Sequence, residues 1–255
     1  MSELIKAHLR EISHPDLPHI EVYPDVDTVA KAAAGMMADI VRTTPTARIT
    51  FATGNTMVPV YGETAALAAS GDVDFSQVTA FHLDEYFPMP ADRPESFVGY
   101  IQERVVEPFG ISPDKALYLD GTTNEPHAEA ARYEALLAGG VDVAIIGIGP
   151  GCHIAFNESG SSFDSRTRLV DLAQETVTRN QGRGETTPAY ALSQGIANIL
   201  EARRIILVAH GREKAEYVRK ALMDPISQEV PASALRLIGE RVTIVLDEAA
   251  ASLLK

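Results

Sequence analysis

Short apolar runs recur along the chain. Each is followed by a segment whose apolar positions fall three and four apart. The runs at 47–53, 78–84, 141–149, 203–211 and 241–248 read as strands, and the segments at roughly 26–43, 58–70, 94–110, 125–140, 188–202 and 212–223 read as helices. The helix over 94–110 opens on proline and acidic residues and closes on proline and glycine, and the one over 125–140 stops at two glycines. The last strand leads into a short helix. "AIIGIG" (144–149) and "IILVA" (205–209) are apolar at successive positions, so both faces of these strands are covered. Alternating strands and helices of this kind predict an α/β fold. It would be a doubly wound, mostly parallel sheet with helices on both faces, Rossmann-like, in a single domain over 1–255. Ligands of such folds sit beyond the C-terminal ends of the strands. The chemistry should therefore lie in the segments just after each strand.

Four such segments carry suitable side chains. After the first strand comes "TGNT": Thr53, Gly54, Asn55 and Thr56. Hydroxyls, a permissive backbone and free helix N–H groups make an anion site, for which phosphate is the usual guest. A plain N-cap turn is the competing reading. After the second strand comes "DEY" (84–86), two adjacent carboxylates that point to different sides of an extended chain. One can enter a site while the other holds the loop; a solvated acidic turn is the alternative. After the third comes "PGCHIAFNE" (150–158). Histidine is the side chain whose ordinary pKa lies nearest neutral, so His153 is a candidate to move protons, and Glu158 is close enough in sequence to orient its ring. A spacing of five residues is not that of a zinc pair, and no H-E-x-x-H occurs, so no metal is expected. Cys152 reads as a small buried filler rather than a nucleophile, because adjacent residues rarely face each other. After the fourth comes "REK" (212–214), where Lys214 is poorly placed for a helix dipole unless an anion lies nearby.

Composition narrows the partners. The net charge of −13 over 255 residues repels nucleic acid and anionic membranes. Tryptophan is absent, which removes one kind of stacking platform for single strands. No apolar run approaches the roughly 18 residues that span a bilayer. The charged opening segment "MSELIKAHLREISHPD" lacks the apolar stretch of a secretory signal. A single cysteine cannot form an internal disulfide, which fits a reducing compartment, most simply the cytoplasm.

The stretches "TGNT", "FHLDEYFPMPADRPESFVGYI", "GIGPGCHIAFNESGSSFDSRTRLVDL", "YALSQGIANIL" and "GREKA" resemble the glucosamine-6-phosphate deaminase family, part of a superfamily with the 6-phosphogluconolactonases. The resemblance runs from about residue 25 to the end. It implies conversion of glucosamine 6-phosphate and water to fructose 6-phosphate and ammonia, with neither metal nor cofactor. Carried over, Asp84 is the base that moves a proton between C2 and C1, and His153 assists ring opening with support from Glu158. Thr53, Gly54, Asn55 and Thr56 cradle the phosphate, and Lys214 pairs with it. A phosphate-binding arginine is expected in "TRNQGRGE" (178–185); Arg183 is favoured over Arg179. A mobile lid is expected around 172–190.

The chain departs from the family pattern at Gly151, where Asp or Asn is usual, and at Cys152, where glycine is usual. Ser161 and Arg168 fit the activator site of some members, but Val170 replaces a lysine, so strong activation by N-acetylglucosamine 6-phosphate is not expected. Galactosamine 6-phosphate as substrate, a 6-phosphogluconolactonase activity and a catalytically weak sugar-phosphate sensor are the alternatives. Tyr86, where lactonases usually carry arginine, argues against the second. Both a monomer and a homo-oligomer fit the family.

Overall fold

The computed structural model describes residues 10–181 and 188–254. Its centre is an eight-stranded sheet in the order β1 (Arg10–Glu11), β2 (His19–Tyr23), β11 (Val242–Asp247), β10 (Arg204–Ala209), β7 (Val143–Ile146), β3 (Arg48–Phe51), β4 (Thr79–His82) and β6 (Ala116–Leu117). Every neighbouring pair is parallel except β1 and β2. All four residues of β7 are buried, and so are the last five of β10. Successive residues of a strand face opposite sides, so both faces of the sheet are covered. From β3 the chain builds outward through β4 to β6. It then returns to the other side of β3 with β7 and builds through β10 to β11. The order reverses between β3 and β7, and that is where a doubly wound sheet leaves a crevice.

Local chemistry sets the helices. α1 (Val26–Thr43) starts at Asp25, whose carboxylate accepts the Thr28 N–H at 2.9 Å while the Thr28 hydroxyl accepts the Asp25 N–H at 3.3 Å. Its buried face is mostly alanine with Val29, Met37 and Val41, small enough to lie close to the strands. α2 (Met57–Ala69) follows the loop after β3. α3 (Phe97–Ile101) starts at Ser96 and continues through a π turn (Gln102–Val106) into α4 (Glu107–Phe109), which Gly110 ends in the left-handed region at φ 69°. α5 (Pro126–Leu137), α6 (Gln174–Gln181), α7 (Ile196–Leu200) and α8 (Ala215–Met223) complete the helices named here.

Two expectations are corrected. The segment 188–202 is not one helix: Tyr190–Ser193 is a strand, β9, and only Ile196–Leu200 is helical. Ala191, Leu192 and Ser193 are each completely buried, and β9 pairs antiparallel on both sides, with β5 (Asp84–Phe87) and β8 (Arg168–Asp171). Two partner strands bury this stretch, which overrides its local helical pattern. The segment after β11 forms turns rather than a short helix.

The resulting small sheet, β5-β9-β8, stands beside the large one. The chain crosses between them at Leu83, whose carbonyl accepts the Gln194 N–H at 2.8 Å. The Gln194 side-chain amide donates to the His82 carbonyl at 2.9 Å. Below the small sheet Tyr86, Met89, Phe156, Leu172 and Ala191 form a second, smaller apolar cluster.

Candidate active site

A cavity of ≈ 450 Å³ opens over the C-terminal ends of β3, β4, β7 and β10. The loop after β3 contributes Thr53, Gly54, Asn55 and Thr56 to its wall. Gly54 has φ 103°, a conformation that glycine adopts without strain. The loop after β10 contributes Lys214, whose ammonium donates to the Ile148 carbonyl at 2.8 Å. Glu213 lies beside it on the same wall. Gly211, which begins that loop at φ 87°, donates its N–H to both oxygens of the buried Asp247 at 3.0 Å.

Asp84 enters the cavity at the start of β5. Its carboxyl is buried, and loss of water together with the neighbouring Glu85 charge raises its pKa to about 8. Glu85 turns the other way, as alternation along a strand requires. Its carboxylate accepts the N–H groups of Tyr86 (2.8 Å), Phe97 (3.0 Å) and Val98 (2.9 Å) and the Ser96 hydroxyl (2.7 Å). Burial raises the Glu85 pKa against those bonds, which favour its charge. Just upstream, His82 is fully buried; its Nε2 accepts the Leu119 N–H at 2.8 Å, and burial lowers its pKa to about 3. It is therefore a neutral structural histidine.

His153 lines the cavity at the end of a tight loop after β7. That loop is closed by Gly149 N–H to the His153 carbonyl (3.0 Å), Cys152 N–H to the Gly149 carbonyl (3.1 Å) and His153 N–H to the Pro150 carbonyl (3.3 Å). A Cβ on Gly149 would sit 1.8 Å from His153 Nε2, so the ring occupies the space a side chain there would need. Gly151 and Cys152 both have φ 64°, and Ala155 has φ 50°. For the two residues that are not glycine this is a strained conformation, of a kind that gathers at functional sites. Gly151 is exposed, with open space where a side chain would point. Cys152 is buried, its thiol against the Tyr217 carbonyl at 3.5 Å and its pKa pushed up by burial to about 11. This is the environment of an inert filler.

Glu158 is not part of the cavity wall. Its carboxylate accepts the Ala173 N–H at 2.7 Å and the Thr176 hydroxyl at 2.6 Å, at the start of α6, and Thr176 does line the cavity. Glu158 thus ties the histidine loop to the segment over the site. Arg183 lies outside the described residues, as does 182–187 of the expected lid; Arg179 falls on α6, and Pro188 lines the cavity.

No pattern in the sequence marks the aromatic wall. Tyr86, Phe97 and Phe156 line the cavity, with ring centroids 4.8 Å apart for Tyr86 and Phe97 and 5.3 Å for Tyr86 and Phe156. They come from three separate segments, and no spacing connects them. Among the described residues no group of three or more His, Cys, Asp or Glu side chains is placed to hold a metal ion, and no helix is long and apolar enough to cross a membrane.

The family model for glucosamine-6-phosphate isomerases and 6-phosphogluconolactonase matches residues 25–244. The chain belongs to this family. The glucosamine-6-phosphate deaminase of Rhodopirellula baltica is 40% identical over 240 residues, covering 92% of this chain and 95% of its own. That of Streptomyces coelicolor is 40% identical over 242 residues, with 92% of each chain covered. Among solved structures, a monomeric glucosamine-6-phosphate deaminase superposes with a TM-score of 0.88 at 35% identity, over 92% of this chain and 99% of that one. The 6-phosphogluconolactonase of Trypanosoma brucei shares the fold, with a TM-score of 0.74 at 21% identity over 93% of this chain and 99% of that one.

Proposed function

We propose that the chain is a glucosamine-6-phosphate deaminase, releasing ammonia and forming fructose 6-phosphate. The observation that carries this is the meeting, in one cavity, of a desolvated carboxyl with a pKa near 8, a histidine and a loop suited to phosphate. Deamination of a 2-amino sugar by isomerisation is acid–base work throughout, and it needs groups that exchange protons near neutral pH.

Thr53–Thr56 and Lys214 hold the 6-phosphate. His153 moves the C1 hydroxyl proton to the ring oxygen, which breaks the C1–O5 bond and leaves the open-chain aldehyde. Asp84 as carboxylate then takes the C2 proton; the electron pair forms a C1–C2 double bond, and the aldehyde oxygen takes a proton from the substrate's own C2 ammonium, giving a neutral enolamine. The same carboxyl returns its proton to C1, leaving a C2 iminium. Water adds there and one of its protons passes to the nitrogen; ammonia then departs as the C2 carbonyl forms, and the other proton goes to solvent. The chain supplies the base, the ring-opening group and the anchor; water supplies the new oxygen.

Burial keeps Asp84 out of bulk water, which sustains its basicity. The deciding assay measures ammonia and ketose 6-phosphate from glucosamine and galactosamine 6-phosphates, with 6-phosphogluconolactone as control. Ammonia from glucosamine 6-phosphate supports the reading. Hydrolysis of the lactone alone, or binding without turnover, overturns it.

A further inference from the structure

Three side chains from three elements take up alternate carbonyls of the loop after β3. Tyr61, on α2, donates its hydroxyl to the Ala52 carbonyl at 2.6 Å. Tyr100, on α3, donates to the Gly54 carbonyl at 2.9 Å. His210, just after β10, places Nε2 3.3 Å from the Thr56 carbonyl. A carbonyl and the N–H of the next residue point opposite ways across a planar trans peptide. Holding the carbonyls of Ala52 and Gly54 against tyrosines therefore turns the N–H groups of Thr53 and Asn55 away from those tyrosines. Both residues line the cavity. Burial raises the Tyr100 pKa to about 12, so its hydroxyl stays a donor throughout the physiological range.

Tyr100 also has a fixed base. The first turn of α3 is fastened to Glu85 through Ser96, Phe97 and Val98, and Glu85 adjoins Asp84 on β5. One short path therefore runs from Asp84 through Glu85 and α3 to the Gly54 carbonyl. From the other side, His210 joins the same loop to the segment that carries Lys214.

We propose that Tyr100 is a positioning residue that holds the 53–56 loop in its anion-receiving form at a set distance from Asp84, and that His210 braces the same loop toward Lys214. The inference rests on the reading of 53–56 and Lys214 as the phosphate site.

Tyr100→Phe removes the hydroxyl and keeps the ring beside Tyr61, 6.5 Å between centroids. We expect it to raise KM for glucosamine 6-phosphate and the inhibition constant of inorganic phosphate about fivefold, as loss of one hydrogen bond implies, with kcat changed less than about twofold. His210→Ala reaches the loop from the other side and gives the same split. A phosphate inhibition constant unchanged in both variants, while Lys214→Ala still raises it, overturns the inference. So does an equal loss of turnover on unphosphorylated glucosamine, which would mark a general structural role. If Lys214→Ala itself leaves phosphate inhibition intact, it is the phosphate reading that fails.

Discussion

Adjacent on β5, Asp84 and Glu85 face opposite surroundings. Asp84 lines the cavity, while Glu85 is buried behind it and accepts four hydrogen bonds from Ser96, Tyr86, Phe97 and Val98. The second carboxylate anchors the loop that carries part of the aromatic wall, and its charge adds to the burial that makes its neighbour a stronger base.

The first prediction concerns pH. The working form of Asp84 is the carboxylate, and it forms as pH rises through about 8. The rate constant kcat/KM should therefore climb with pH toward 8 instead of levelling off in the ordinary carboxylate range. In Glu85→Gln the like charge is gone, so the limb should move to lower pH. His153 and Lys214, which share the cavity, are unaltered in that variant. A limb at the same pH in both proteins would show that Glu85 does not tune the base. Asp84→Asn should lower turnover by about 10²–10⁴.

The second follows from the same shift through linkage. The folded state holds the Asp84 proton up to about pH 8, whereas the ordinary value is 3.8. Between those values the folded state binds the extra proton, so this carboxyl lowers stability as pH rises from about 4 to about 8. Asp84→Asn carries no charge and escapes that loss. Urea unfolding should show the variant more stable than the parent, by on the order of a few kcal/mol at pH 9 and by less at pH 5. The same difference at both pH values would contradict a protonated, buried Asp84.

The third concerns Gly149. Its missing side chain leaves room for the His153 ring, which lies where a Cβ would be. Gly149→Ala must push the imidazole aside, and misplacement by about 1 Å costs on the order of 10² in rate. We expect the loss in kcat, with phosphate inhibition unchanged. Wild-type kcat in a folded Gly149→Ala protein would show that the position of His153 does not matter to the reaction.

The fourth concerns Cys152. A buried thiol with a raised pKa reacts slowly. A chromogenic disulfide reagent at pH 7.5 should modify the native protein at least about 100-fold more slowly than the urea-unfolded chain. Cys152→Ala should retain turnover; its loss in a folded variant would revive a nucleophilic role for the thiol.

Much of the site was legible because parallel strands bring the segments after them to one edge. "TGNT", Asp84, His153 and Lys214 each follow a strand that periodicity alone locates, and all line one cavity. Glu158 was legible as a carboxylate near His153, but which groups it binds depends on where α6 starts. Tyr100 and His210 gave no signal, because a tyrosine in a helix and a histidine after a strand are ordinary until the carbonyl each one meets is known.

The sequence by itself determined the alternation of elements, the parallel sheet buried on both faces and the kinds of side chain after each strand. These follow from local periodicity and from the unbroken apolar runs of β7 and of Ile205–Ala209 in β10, which bury both faces. Only the tertiary structure decided that 190–193 is a strand, that β5 leaves the large sheet at Leu83, and that Glu85 faces away from the cavity Asp84 enters. It alone also placed Gly149 under the His153 ring and three side chains on the carbonyls of one loop. Each of these depends on contacts between residues far apart in the chain, where burial and hydrogen bonding outweigh local preference.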